Sequence, residues 1–484
     1  MSEKSSHFDV IIVGAGLSGI GAAHHLQKKC PGRPYAILEA RSSMGGTWDL
    51  FQYPGIRSDS DMYTLGYSFK PWENAKAIAD GPSILQYIKD TASEGGIDQN
   101  IHYDHKVDKM EWSSEDSKWH VETQVGGNGT RARYSCNFLF MCSGYYSYAS
   151  GYLPDFENME SFKGQIVHPQ KWTNDIEYEG KQVVVIGSGA TAVTLVPELA
   201  KKTAHVIMLQ RSPSYVMNMP EQDKVANFLR KILPSKVAYW FSRWKNILFG
   251  LFFYKLCRKY PQALKKFMMN LIKKEVGDTV DVDTHFNPNY KPWDQRLCAV
   301  PDNDLFISLK KGTSSIVTDH IVRFTERGLL LKSGKELEAD LIVTATGLKM
   351  EFLANVEMKI DGKEIDLSEL LIYRGMMFSN VPNLAQFVGY TNASWTLKAD
   401  LSSVYACRLL NHMKKNGATI CTPRITRDIG REPIIDFNSG YVLRAIDQLP
   451  KQGTEKPWKL HQNYILDTFN FRYSSLKNPE LEFK

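Results

Sequence analysis

Apolar residues fall along the chain in short runs, separated by glycine turns and longer amphipathic stretches, the alternation expected of strand, helix, strand units. The first unit opens at Phe8 to Val13, turns through glycines into IGAAHHLQKK and returns through YAIL. A second opens at QVVVI, turns through glycines into a helical stretch and returns through HVIMLQ. Two further runs, NFLFMCSG ending at Gly144 and ADLIVTATG ending at Gly347, read as last strands leading into crossovers between domains. Near the C-terminus LAQFVGY predicts a strand, followed through TNASW by a helix from about Thr396. From about Ser214 to Pro292 the pattern is helical, whereas FKGQIVHPQKWT, residues 162–173, fits neither the 3.6 nor the 2.0 period and is expected to be a linker.

This order predicts an α/β fold with two Rossmann-like dinucleotide-binding domains, one carrying a helical insert. The first domain is expected over 1–145 and again over 351–484. The second, with its linker, is expected over 146–213 and 293–350, with 214–292 as the insert. A length of 484 residues exceeds what one core fills and agrees with two or three domains.

The glycine turns specify what each domain holds. Gly14, Gly16 and Gly19 stand between strand and helix as GxGxxG, and the second strand ends at Glu39, about 20 residues on, where a carboxylate takes ribose hydroxyls. The second turn reads Gly187-Ser-Gly189-Ala-Thr191-Ala192, with Ala192 as the small third residue. Its second strand ends in Arg211 and Ser212 instead of an acid, and a guanidinium binds the ribose 2′-phosphate that a carboxylate would repel. Two such folds in one chain most simply hold a flavin and a nicotinamide, here FAD in the first and NADPH in the second.

Seven cysteines form no CxxC pair, which argues against thiol-disulfide chemistry and agrees with a reducing cytoplasm. The start of the chain lacks a signal-peptide pattern, no apolar stretch reaches membrane-spanning length, and no metal is expected. The net charge of +6 is uneven: Lys224 to Lys274 holds thirteen Lys or Arg and no acid, leaving −7 for the rest.

On its motifs the sequence resembles the type I Baeyer-Villiger monooxygenases, nearest to their ethionamide-activating branch. Phe162, Gly164, His168 and Trp172 match the family's FxGxxxHxxxW fingerprint, although Thr173 departs from the Pro or Asp that usually follows. Gly45, Gly46, Thr47, Trp48, Tyr53, Pro54, Gly55 and Asp59 match GGTWxxxxYPGxxxD, and the likeness extends through WDLFQYPGIRSDSDMYTLG, PWDQRLC and GYTNASWTLKADL. The resemblance implies hydride transfer from NADPH to FAD, oxygen uptake as a C4a-peroxyflavin, and conversion of a ketone to an ester or lactone, with thioethers or thioamides oxygenated as a side activity. It also implies that Arg296 is the active-site cation, that Asp59 orients it, and that Gly46, Thr47 and Trp48 belong to the flavin site. His168 takes a conformational role and not that of a base. Many members carry a lysine before the arginine that helps hold the 2′-phosphate. Here it is Gln295, so NADPH selection rests more on Arg211 and Ser212. Trp395 either lines the nicotinamide or substrate space or packs in the core.

Alternatives remain in view at this level. A flavin monooxygenase oxidising nitrogen or sulfur would share both folds, and a dinucleotide-binding redox sensor would share them without turnover. For the basic segment 224–274, one reading is a core-packed cap with a solvated basic face. The other is peripheral membrane contact, since WFSRWKNILFGLFFYKLCRKY mixes aromatics with cations and has no acid. No nucleic-acid motif accompanies the charge, and none is expected to bind.

Overall fold

The computed structural model describes residues 6–484 apart from 128 and 436. Strand β1 (Ser6–Val13), helix α1 (Leu17–Lys29) and strand β2 (Tyr35–Leu38) form the first unit. β1 runs parallel to β2 on one side and to β3 (Thr130–Met141) on the other. Val10, Ile11 and Ile12 are wholly buried, so the strand is covered on both faces, which is why it reads as an unbroken apolar run. The sheet grows to nine strands by an antiparallel extension through 105–113 and 118–125, and by Leu384–Gln386 and 357–364 from the far end of the chain. Both ends of the chain therefore build the first domain.

The chain leaves this domain through β4 (Tyr146–Gly151) and enters a five-stranded parallel sheet. Its elements are β5 (Gln165–Val167), β6 (Gln182–Ile186), helix α2 (Ala190–Leu199) and β7 (His205–Gln210). Helices α3 (Lys224–Ile232), α4 (Ser235–Lys259) and α5 (Pro261–Val276) follow. The sheet is completed by β8 (Ser314–Thr318) and β9 (Leu341–Thr344), and the chain returns through β10 (Leu348–Met350). The strand order is β8-β7-β6-β9-β5, all parallel. β4 and β10 pair antiparallel, so the outgoing and returning chains form one two-stranded ribbon between the domains. Helix α6 (Trp395–Asn416) then packs on α1, and α7 (Tyr464–Arg472) packs on α6.

Three expectations need correction. The 162–173 segment is not only a linker, because Gln165–Val167 pairs with β9 as the edge of the second sheet. Three residues are too few to show a period. The insert is not helical from residue 214, since Val216–Met219 is a strand paired with Cys298–Pro301. LAQFVGY supplies only Leu384–Gln386 as strand, because Gly389 and its neighbours turn towards Trp395, where α6 already begins. Among the described residues no helix is long and apolar enough to cross a membrane. All seven cysteines are buried and free.

Candidate active site

At the first glycine turn, Gly14 has φ +102°, and a Cβ there would meet the Cys142 carbonyl oxygen at 2.7 Å. A Cβ at Gly19 would lie 1.9 Å from the Gly14 carbonyl oxygen, so the third glycine is what lets α1 sit against its strand. Gly16 precedes α1 without a side-chain cap, leaving backbone N–H groups at the helix start for an anion. Glu39 is buried, accepting the Ala15 N–H at 2.7 Å and the Arg41 N–H at 3.0 Å. Burial raises its pKa, while those two bonds pull the other way. Gly46, at the start of the short helix Thr47–Leu50, backs onto Gly16, and Trp48 packs at the border of this core.

The second turn has the same backbone and a different exposure. Gly187 has φ +140° and closes on the Ala345 carbonyl, whereas a Cβ at Gly189 would meet nothing within 4 Å. Gly189, Arg211 and Ser212 are exposed, while Ala192 is wholly buried under the helix. The Ser212 carbonyl accepts from the Ser188 hydroxyl at 3.1 Å. Arg211 makes no ion pair or hydrogen bond among the described residues, so its guanidinium is available. The Pro54-Gly55 turn packs on the second domain's helix, where a Cβ at Gly55 would meet Glu198 and the Thr194 carbonyl oxygen at 3.0 and 3.2 Å, bringing the two domains together one turn from Thr191.

Arg296 and Asp59 meet across the domains, Nη1 to Oδ2 at 3.5 Å. The Asp59 charge is the main cause that holds the Arg296 pKa above its usual value, against the opposing effect of burial. The Arg296 side chain keeps 37% of its surface accessible, and that surface faces cavities. It stands at the junction of two: a cleft of about 780 Å³ that also contains Asp59, and an apolar pocket of about 70 Å³. Tyr145, Trp395, Phe437 and Tyr441 line the smaller one near Arg296. Trp395 is half-buried, stacks on Tyr145 with centroids 4.8 Å apart and donates from Nε1 to Ser18 Oγ at 2.7 Å. It lines the space beside Arg296 and is not a plain core residue. Burial pushes the Tyr145 hydroxyl up to about 12, so it stays protonated and hydrogen-bonds with Tyr146 at 2.7 Å.

The fingerprint residues lie apart from this junction. His168 faces the crossover ribbon, Trp172 packs in the second domain's core, and Phe162 packs on the other face of the same sheet. A Cβ at Gly164 would meet the Asp340 carbonyl oxygen at 2.5 Å, so this glycine permits the close approach that starts β5.

Sequence reasoning missed the tyrosines and the far end of the apolar pocket. There Lys398 donates to Asp467 at 2.6 Å, and Tyr390 donates to the same oxygen at 2.7 Å, all three buried. Tyr145 and Tyr146 directly follow the glycine that ends β3's loop, which was a usable signal. Lys398 and Asp467 stand 69 residues apart, with none. Among the described residues no His, Cys, Asp and Glu cluster is arranged to hold a metal ion.

Comparison with known proteins follows the same outline. Residues 67–413 match the flavin-binding monooxygenase-like family, and residues 12–80 match an NAD(P)-binding Rossmann-like domain. The chain is 51% identical over 481 residues to the FAD-containing monooxygenase EthA of Mycobacterium tuberculosis, covering 99% of this chain and 98% of that one. It is 47% identical to the probable FAD-binding monooxygenase AlmA of an Acinetobacter species, covering 98% and 96%. Among solved structures, a steroid monooxygenase bound to NADP superposes with a TM-score of 0.73 at 22% identity, covering 86% of this chain and 88% of that one. An open form of cyclohexanone monooxygenase gives 0.71 at 19%, covering 87% and 90%. At these identities the structural matches speak for the fold.

Proposed function

The chain belongs to the flavin-binding monooxygenase-like family and is an FAD-containing monooxygenase, and within that class we propose that it uses NADPH and O2 to convert ketones to esters or lactones. Thioethers and thioamides are oxygenated at sulfur as a side activity. Membership sets aside the reading as a sensor without turnover.

The observation that carries this is the position of Arg296, a permanent cation held by Asp59 where a wide cleft meets a small apolar pocket. The first glycine turn and Glu39 fit FAD: the uncapped helix start would hold the pyrophosphate, and a buried carboxylate fixed by two backbone N–H groups would take the ribose hydroxyls. Gly46, Thr47 and Trp48 continue that site. The exposed second turn, with Gly189 open and Arg211 unpaired among the described residues, fits a nicotinamide dinucleotide that enters and leaves. Bound FAD supplies hydride acceptance and activation of oxygen, which no side chain here can supply.

The chain's own part is electrostatic and geometric. Attack of a peroxide on a ketone carbonyl concentrates negative charge on oxygen, and a fixed guanidinium stabilises it without having to reorganise. Arg296 stays protonated throughout, so its contribution is set by placement, and Asp59 is its positioning residue. The apolar wall formed by Tyr145, Trp395 and Phe437 excludes water from the same space.

The test is NADPH consumption by the purified yellow protein in aerated buffer, with and without an aryl or linear ketone, with products identified by mass spectrometry. Ester formed in step with NADPH use is the expected result. Hydrogen peroxide alone with the ketone returned intact, and oxygenated thioether in a parallel sample, would move the assignment to sulfur.

A further inference from the structure

Helix α4 is apolar on both sides. Tyr239 and Arg243 face inward, where Arg243 Nη1 donates to the Tyr63 and Gly66 carbonyls at 2.8 and 2.7 Å and the Tyr239 hydroxyl donates to the Tyr67 carbonyl at 2.9 Å. Ile247 and Cys257 are buried on the same side. At 100° per residue, Val237, Phe241, Leu248 and Phe252 lie half a turn away, and all four are exposed. A surface helix ordinarily turns charge to water on that side. The neighbours repeat the pattern, with Val225, Phe228 and Ile232 exposed along one face of α3 and Phe267 and Leu271 along α5. Of the twenty large apolar residues exposed among the described residues, twelve lie between 225 and 271. A cap with only a solvated basic face does not describe this surface.

The charge within the segment is of one sign, although Lys245, Arg258 and Lys273 pair with Asp223, Asp294 and Asp283 outside it. Lys224 to Lys274 contains thirteen cations and no acid, and the exposed Lys231, Lys236, Lys255 and Lys266 make no ion pair among the described residues. This selects the occupant. A second copy docked symmetrically would set the same cations against one another, because an isologous contact repeats one patch on both sides. An anionic bilayer accepts both components, aromatic and aliphatic side chains at the acyl boundary and lysines at the headgroups.

The surface is also the rim of the larger cavity. Val225 and Phe249, exposed to 52% and 64%, line the same cleft as Asp59 and Arg296. We propose that α3, α4 and α5 form a peripheral docking face for anionic membranes, with the mouth of the 780 Å³ cleft opening onto the lipid. Molecules dissolved in the acyl region then reach Arg296 without crossing bulk water, which favours long-chain or polycyclic apolar substrates. This last step rests on the oxygenation reading; the docking does not.

The test is co-sedimentation of the FAD-loaded protein with vesicles of phosphatidylcholine, with and without phosphatidylglycerol, at low and high salt. Binding that requires phosphatidylglycerol and weakens with salt is expected. Trp240 is exposed on α4 like Phe252, and W240S/F252S is expected to bind at least tenfold more weakly, with K231E/K255E losing the salt-sensitive part. None of these four residues lines either cavity, so FAD content and turnover of a water-soluble substrate should be unchanged, which separates lost docking from lost folding or chemistry. Absence of vesicle binding at low salt, or binding indifferent to both double variants, overturns the proposal. So does a concentration-dependent dimer in sedimentation velocity that W240S/F252S dissolves, since the face would then be covered by a second copy. If docking holds, the same ketone supplied in vesicles and in detergent-free buffer tests the substrate route: equal rates would remove that route and leave the docking intact.

Discussion

His168 holds both strands of the ribbon that joins the two domains. Its Nε2 lies 3.1 Å from the Gly347 carbonyl oxygen where the returning strand begins, and its ring fills the space above Gly151 on the outgoing strand, where a Cβ would lie 1.9 Å from the ring. The Gln170 N–H donates to Nδ1 at 3.2 Å, so Nε2 carries the proton and donates to the carbonyl. These contacts support a role for the fingerprint histidine in the relation between the domains, outside the two cavities that meet at Arg296.

Removing it should loosen that relation. His168→Ala is expected to slow reduction of bound FAD by NADPH roughly tenfold with FAD content retained, since small misplacements of reacting groups are costly. His168→Gln, which keeps a donor, should recover part of the rate, and Gly151→Ala should behave like His168→Ala because the ring cannot stay in place. Stopped-flow bleaching of the flavin absorbance reads all three. Equal slowing in the alanine and glutamine variants would mean that the ring's volume matters and its hydrogen bond does not.

His168 also has a pH signature. Desolvation lowers its pKa, with the bond to Gly347 opposing, so the folded state takes up a proton less readily than the unfolded chain. Its contribution is full above the unfolded value of about 6.5 and declines as pH falls below it. Melting temperature followed from pH 7.5 to 5 should fall more in the wild type than in His168→Gln.

Arg296 is the residue whose loss should separate the two halves of the reaction. Arg296→Ala is expected to keep FAD and its reduction by NADPH, while ester formation falls by roughly 100- to 1,000-fold, the cost of one preorganised charge at an oxyanion. Asp59→Asn should cost less, because it removes the partner 3.5 Å away and not the cation itself. Oxygen and NADPH traces beside product analysis distinguish uncoupling from lost reduction. A proportionate loss of reduction in Arg296→Ala would place it in nicotinamide binding.

Arg211 is the residue proposed to set the cofactor preference. With no partner among the described residues and Gln295 uncharged, its loss should raise the KM for NADPH by roughly 10- to 100-fold, the range of about 1.5–3 kcal/mol for a hydrogen bond to a charged group. The KM for NADH should stay where it is. If both rise together, Arg211 supports the turn and does not read the 2′-phosphate.

Much of this was legible because it depends on residues adjacent in sequence. Gly14 to Gly19, Glu39, Gly187 to Ala192 and Arg211 each follow from one strand, one turn and the next strand. Arg296 and Asp59 were paired only through the family resemblance, since 237 residues separate them. β5 escaped because three residues cannot display alternation, and its partner strand lies 176 residues on. The exposed face of α4 was hidden for the opposite reason: aromatic, aliphatic and cationic residues occur on both sides of the helix, so its pattern carries no mark of which side the protein covers.

Asp400 should make the flavin domain sensitive to acid. It lies in α6, is buried, and accepts from His25 of α1 at 2.7 Å and from the Ser68 hydroxyl. Burial pushes its pKa up, but the His25 charge and hydrogen bond, with Arg243 behind them, outweigh this and hold it well below the usual carboxylate range. A depressed folded pKa contributes stability that is present above the unfolded value of about 3.9 and is lost as pH falls towards the folded one. Asp400→Asn, which leaves the buried His25 and the Ser68 hydroxyl without the carboxylate they bond to, is expected to cost about 1–3 kcal/mol at pH 7. The difference in melting temperature from wild type should narrow between about pH 5 and pH 3, as the unfolded chain's carboxylate takes up protons that the native one still resists. A gap that stays constant over that range would mean that Asp400 stabilises the α1 and α6 contact by packing alone, and that its charge contributes nothing.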